Sequence, residues 1–235
     1  MQTKKDAEIV GWIGRIGAAG AEHVMGRFAM SRTRAYACLS RLVVSRLLEQ
    51  RTLLYREPGL YVATAEALRW CALERLGVYE VGPGGFEHAR QVATAAVALH
   101  RGLADWTILS EREIRVQESD RAELVASARL GDLPGGRPAL HKPDLALVSP
   151  EGRTLAIEIE LSIKAPRRLA AICRGWARAR HVGHTYYLAE SAPARAVARA
   201  IAETRAEDRI TVLALDDAAS LIEAEREEAS HARVL

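Results

Sequence analysis

One stretch of the chain restricts its fold more than any other: residues 141–164, HKPDLALVSPEGRTLAIEIELSIK. Lys142-Pro143-Asp144 opens an extended run that continues through Val148. Ser149-Pro150-Glu151-Gly152 has the Pro and Gly that fix a tight turn. A second extended run follows from Thr154 to Leu161. Side chains alternate across a strand, so Leu155, Ile157, Ile159 and Leu161 share one face while Ala156, Glu158 and Glu160 share the other. A hairpin is therefore expected, with two carboxylates on one face and Asp144 a strand away. Two environments suit such a face. It can be the wet side of an antiparallel pair. Alternatively it is buried, and a divalent cation such as Mg²⁺ offsets the cost of burying charge, because hard cations take carboxylate oxygens.

The whole chain has the composition of a folded protein. It holds 235 residues, 49% hydrophobic and 27% charged, enough for one large or two small cores. The net charge is +3 and the pI about 8.9, which favours polyanionic partners. Cys38, Cys71 and Cys173 are scattered and odd in number, the pattern of reduced thiols in a cytoplasmic protein. No apolar run approaches membrane-spanning length, and no signal peptide is expected at the N-terminus.

The first 80 residues read as a DNA-binding unit. Ile9, Ile13 and Ile16 are spaced for a helix over 7–18, and 21–28 gives a second. Ala29-Met30-Ser31 is a turn in which Ser31 caps a third helix from Arg32. That helix turns Ala35, Leu39, Leu42 and Val43 inward. Thr33, Arg34 and Arg41 face out, with Arg32 and Tyr36 on the flank. Strands over 47–55 and 60–64 around Arg56-Glu57-Pro58-Gly59 make a wing, and a helix over 65–76 closes the unit. Helix, turn, helix and wing is the layout of a winged helix-turn-helix domain. Through Arg56 there are ten Lys and Arg against four Asp and Glu, a surplus of six, suited to backbone phosphates. Arg32, Thr33, Arg34, Tyr36, Arg41 and Arg56 are the candidate contacts to double-stranded DNA, and a homodimer reading two half-sites is a natural assembly.

Val81-Gly82-Pro83-Gly84-Gly85 is the expected linker, and a second domain runs from 86 to 235. It begins with a helix over 86–101, where Glu87 and His88 are candidates to face the carboxylates. A strand over 106–116, a helix or charged connector over 118–128 and a loop over 130–140 lead to the hairpin. After Pro166 comes a helix with Leu169, Ile172, Cys173 and Trp176 inward. Arg167, Arg174 and Arg178 lie outward within about 40° of one another, without an acid among them, as on a phosphate-tracking surface. Strand 185–189, helix 192–203, strand 209–215 and a final acidic helix from near Asp217 complete an α/β domain with a mixed central sheet.

Pro143-Asp144 followed by Glu158-Ile159-Glu160 resembles the PD-(D/E)xK nuclease superfamily. The resemblance implies Mg²⁺ held by Asp144, Glu158 and Glu160. Glu160 stands where Lys is usual, and Lys164 can supply the ammonium from a displaced position, giving Asp144, Glu158, Glu160 and Lys164 as candidate catalytic residues. Across most of the chain, LYVATAEALR, FEHARQVATAAVALHRG with WTILSEREIR, HKPDLALV and AIEIE resemble in their order the replication-relaxation family of plasmid and mobile-element proteins. That resemblance implies an α+β chain: a winged helix, then a nuclease-like domain acting in DNA replication, relaxation or transfer. The alternative is a catalytically inactive DNA-binding accessory factor or regulator, whose second domain serves binding or dimerisation.

Overall fold

The computed structural model describes residues 2–121 and 123–232. It is an α+β protein of two compact units, Met1–Val97 and Ala98–Leu235.

In the first unit α1 (Lys4–Ile16) is started by a reciprocal cap: Thr3 Oγ1 accepts from Asp6 N, and Asp6 accepts from Thr3 N. Gly17 ends it at φ 104°, where a β-carbon would be both strained and only 3.0 Å from the Tyr79 ring. β1 (Ala18–Ala19) follows, then α2 (Ala21–Phe28), a left-handed turn at Ala29 and α3 (Arg32–Val44), whose N-terminus is capped by Ser31. β2 (Leu48–Arg51) and β3 (Leu60–Ala63) complete an antiparallel sheet in the order β1-β3-β2. The strand expected over 47–55 stops at Arg51, and Tyr55 and Arg56 lie in the exposed connection. The closing helix is α4 (Ala65–Trp70). It breaks where Ala72 takes a left-handed conformation, leaving only a 3-10 turn at Glu74–Leu76. Ile9, Ile13, Leu39, Leu42 and Leu68 form the core.

α5 (Phe86–Gly102) crosses the division between the units, which falls later than the Gly-Pro linker at 81–85. The reason is packing: Phe86 and Ala89 complete a cluster with Ala18, Leu60 and Val62. In the second unit β4 (Thr107–Ser110) is followed at once by α6 (Glu111–Arg121), not by a strand to 116. Ser110 and Glu113 cap the helix reciprocally, which overrides the strand-like residues Ile114 and Val116. The segment expected as a loop forms a hairpin of β5 (Ala128–Asp132) and β6 (Pro138–His141), with Gly135 and Gly136 at positive φ in its turn.

The hairpin read from the sequence is present as β7 (Leu145–Val148) and β8 (Thr154–Glu160), paired Leu145↔Ile157 through Val148↔Thr154. α7 (Pro166–Arg178), β9 (His184–Ala189), α8 (Ser191–Thr204), β10 (Ile210–Ala214) and α9 (Ala218–Ala232) follow. The sheet order is β10-β9-β8-β7-β4, parallel from β8 to β10 and antiparallel on the other side. β8 is thus its middle strand. Leu169, Ile172, Cys173 and Trp176 of α7 pack with Ala156 and Tyr187 on one face of the sheet. At the far end Glu225 of α9 accepts from Tyr186 Oη at 2.6 Å and Arg153 Nη1 at 2.8 Å, which ties α9 down.

Glu118 organises the approach to the hairpin. Its Oε1 accepts from the amides of Val125, Ala126 and Ser127 at 2.9, 3.1 and 3.0 Å, and its Oε2 from Ser127 Oγ at 2.5 Å. Glu118→Ala is expected to destabilise the second unit by about 3 kcal/mol, because buried amides lose their acceptor. Hydrogen exchange should show fast exchange at Val125–Ser127; unchanged protection there would contradict the assignment.

Candidate functional site

β8 is buried along its whole length, so the wet-face alternative for its glutamates does not hold. Glu158 is 4% exposed and Glu160 3% exposed, on the face covered by α7. Strand alternation puts them two residues apart on one side. Asp144, at the start of β7, accepts a hydrogen bond from Ile159 N at 2.7 Å. The peptide between the two glutamates therefore holds the third carboxylate at the same end of the sheet. The Asp144 carbonyl also accepts from Glu111 N at 3.0 Å, which anchors the start of α6 beside it.

Each glutamate has a basic neighbour. Lys164 Nζ bonds Glu160 Oε2, bridging from the segment that follows β8. His141 Nε2 lies 2.7 Å from Glu158 Oε1. Its ring meets Trp176 edge-to-face at 5.7 Å between centroids. Burial raises the Glu158 pKa, and Asp144 adds to this; His141 and Lys164 oppose it without cancelling it. Burial pulls the His141 pKa down, but the charge and hydrogen bond of Glu158 outweigh it and the net shift is upward. The pair is thus built to share a proton. Behind it burial pushes the Cys173 thiol up to about 11, so it stays protonated and is no nucleophile.

His141 is the residue that the sequence reading did not single out. It is the last residue of β6, on the separate β5–β6 hairpin and just ahead of Lys142-Pro143-Asp144, and nothing local in the sequence signals that its ring meets Glu158. Gly175 of α7 admits that hairpin: a β-carbon there would stand 2.7 Å from Leu130 Cδ2. Glu87, a candidate to face the carboxylates, instead bonds Arg90 and Gln91 within its own helix.

The oxygen set of Asp144 and Glu158 fits a hard divalent cation, with the Ile159 carbonyl as a further candidate donor. Among the described residues no three His, Cys, Asp or Glu side chains already surround one point as a formed metal site. The oxygens are engaged instead by His141, Lys164 and the Ile159 amide. Arg167, Arg174 and Arg178 are exposed on α7, opposite its buried stripe, and Arg168 joins them.

In the first unit Arg32, Thr33, Arg34 and Tyr36 are exposed near the start of α3, with the Arg32 guanidinium 5.7 Å from the Tyr36 ring centre. Arg56 is exposed beside Tyr55, itself 87% exposed. Arg41 is the exception. Rather than pointing to a partner, it forms a two-pronged ion pair with buried Asp6 of α1, at 2.8 and 2.6 Å. Its place on the helical wheel was legible, but not an acid 35 residues away in sequence.

No protein-family model, curated protein or solved structure matches the chain. Among the described residues no helix is long and apolar enough to cross a membrane.

Proposed function

We propose that the chain binds double-stranded DNA through a winged helix-turn-helix unit and carries a Mg²⁺-dependent phosphodiester-cleaving site in a PD-(D/E)xK-like second unit. It would serve replication, relaxation or transfer of plasmid or mobile-element DNA. The observation that carries the reading is the pair of buried glutamates on the middle strand, with Asp144 bonded to the peptide between them. Burying that much negative charge is costly unless the site is meant to receive positive charge. The order α1-β1-α2-α3-β2-β3 with a basic outer face on α3 supports the duplex-binding part.

In this reading Asp144 and Glu158 hold the metal, and Glu160 orients or deprotonates the attacking water with Lys164 beside it. A bound Mg²⁺ supplies Lewis-acid polarisation of the phosphate and a more acidic water. His141 sets the protonation of Glu158, and the α7 arginines track the strand. A second reading rests on a different observation: His141 and Lys164 already satisfy both glutamates, as they would in a catalytically inactive binding or dimerisation platform.

Supercoiled plasmid with Mg²⁺ or Mn²⁺ separates the two. The endonuclease reading expects nicking that falls about a thousandfold in Glu158→Ala, the scale of several kcal/mol of lost metal assistance. Nicking that persists in the variant, or its absence from the wild type with gel-shift activity intact, ends that reading. Arg34→Ala is expected to weaken duplex binding by about 1–3 kcal/mol and to flatten its salt dependence. Unchanged binding would remove α3 from the interface.

A further inference from the structure

The first unit holds a groove that the duplex-binding reading does not use. Its walls come from α1, the end of α2 and the 71–73 segment, and it encloses about 740 Å³, within the roughly 300–1,000 Å³ of ordinary ligand pockets. Lys4, Lys5, Arg15 and Arg27 line it against a single acid, Glu8, which pairs with Lys5 at 3.3 Å and leaves the groove with a net positive charge. Trp12 and Phe28 stand in the same groove, edge-to-face at 5.9 Å. Two cations ride on the Phe28 ring, Lys5 at 4.6 Å and Arg27 at 5.1 Å from its centre.

The arrangement follows from the sequence of α1. Lys4, Glu8, Gly11, Trp12 and Arg15 recur at three- and four-residue spacing and so lie along one helical stripe. Gly11 and Ala7 have almost no side chain, so they leave space between the aromatic pair and the cations. Trp12 and Phe28 pack against the core of the unit but are only partly buried, and they share the groove with four cations. Had the stripe been only core, the cations would be absent. A cationic groove with an aromatic platform is the combination that takes unpaired nucleotides: stacking holds the base and ammonium or guanidinium groups hold the phosphate.

We infer that this groove binds an unpaired nucleotide, its base on Trp12 and its phosphate among Lys5, Arg15 and Arg27. It is a second nucleic-acid site, independent of the duplex contacts assigned to α3. The nucleotide can belong to a single strand or be free, and the chemistry recognised is the same.

The test uses the full chain and two fluorescent probes, single-stranded oligothymidine and a blunt duplex. Oligothymidine is expected to bind, and Trp12→Leu and Lys5→Gln each to weaken it about tenfold while duplex affinity stays within about twofold. Arg34→Ala should do the reverse, so loss of one reading leaves the other standing. Lys5 is exposed, so its variant keeps the test valid if Trp12→Leu does not fold. ATP that displaces oligothymidine marks the groove as a mononucleotide site; displacement by unlabelled oligothymidine alone marks a strand site. The inference falls if oligothymidine does not bind, if both variants bind it like the wild type, or if polyglutamate displaces it equally well. That last result would reduce the groove to simple electrostatics.

Discussion

In metal-free buffer at mildly alkaline pH, His141→Ala is expected to destabilise the second unit by about 3 kcal/mol, the scale of a buried pair broken from one side. The variant leaves Glu158 at 4% exposure without its imidazole donor. The pH dependence follows from the raised pKa values of both groups. A group whose folded pKa is raised stabilises fully below its unfolded value, and that contribution fades as pH rises through the folded value. The imidazole starts from 6.5 and the carboxyl from 4.5, so wild-type stability begins to fall as pH rises above the ordinary carboxyl value and falls further above that of the imidazole. Without His141 the imidazole window disappears, and the loss above the ordinary carboxyl value deepens, by up to about 1.4 kcal/mol per pH unit, because nothing from the ring opposes the burial of Glu158. In acid, with Glu158 protonated, the variant should lose little beyond packing on Trp176. Adding Glu158→Gln should rescue the alkaline loss, because no charge then remains to bury. Urea melts across pH, with and without Mg²⁺, measure all of this. Under the endonuclease reading Mg²⁺ restores the His141→Ala variant more than it helps the wild type, since the freed carboxylate can take the cation. No Mg²⁺ effect would favour the metal-free platform, and a pH-independent loss would remove the shared proton altogether.

What could be read from the sequence divides along physical lines. The β7–β8 hairpin and the buried stripe of α7 were legible because turn chemistry and periodicity are local. The burial of Glu158 and Glu160 was not: alternation puts them on one face, but whether that face meets water depends on α7, which arrives later in the chain. The same limit hid His141, delivered by a hairpin whose partly buried strands carry little apolar signal. α6 was legible in principle, since Ser110-Glu111-Arg112-Glu113 is a capping box, yet the apolar run from Trp106 to Leu109 favoured continuing the strand. Arg41 shows the opposite error. Helical periodicity puts it on the outside of α3, but outward is not the same as free: a buried acid on another helix engages it.

That error defines the second large effect. Arg41→Ala is expected to destabilise the first unit by about 2 kcal/mol at neutral pH, below the 3–5 kcal/mol of a fully buried pair, because Arg41 is itself 50% exposed and partly screened. Asp6 is 1% exposed, and after the substitution its carboxylate keeps the Thr3 amide and the weak Cys38 thiol as donors. The hydrogen bonds of Arg41, with those of Thr3, hold the Asp6 pKa far below its ordinary 3.8 despite burial. A depressed carboxyl stabilises above its unfolded pKa and loses that contribution as pH falls toward the folded value. The gap between wild type and Arg41→Ala should therefore be constant through neutrality and close in acid below about 3.8. Asp6→Asn should reproduce most of the loss without that acid closure. Hydrogen exchange resolved by peptide reads the effect where it arises: α1 and α3 should exchange faster, while β8 and α7 should not change. Arg34→Ala, on the same helix, should leave exchange alone and weaken only duplex binding. If Arg41→Ala instead left α1 and α3 protected and cut DNA affinity as Arg34→Ala does, its ion pair with Asp6 would be incidental. The outward reading from the helical wheel would then be the right one.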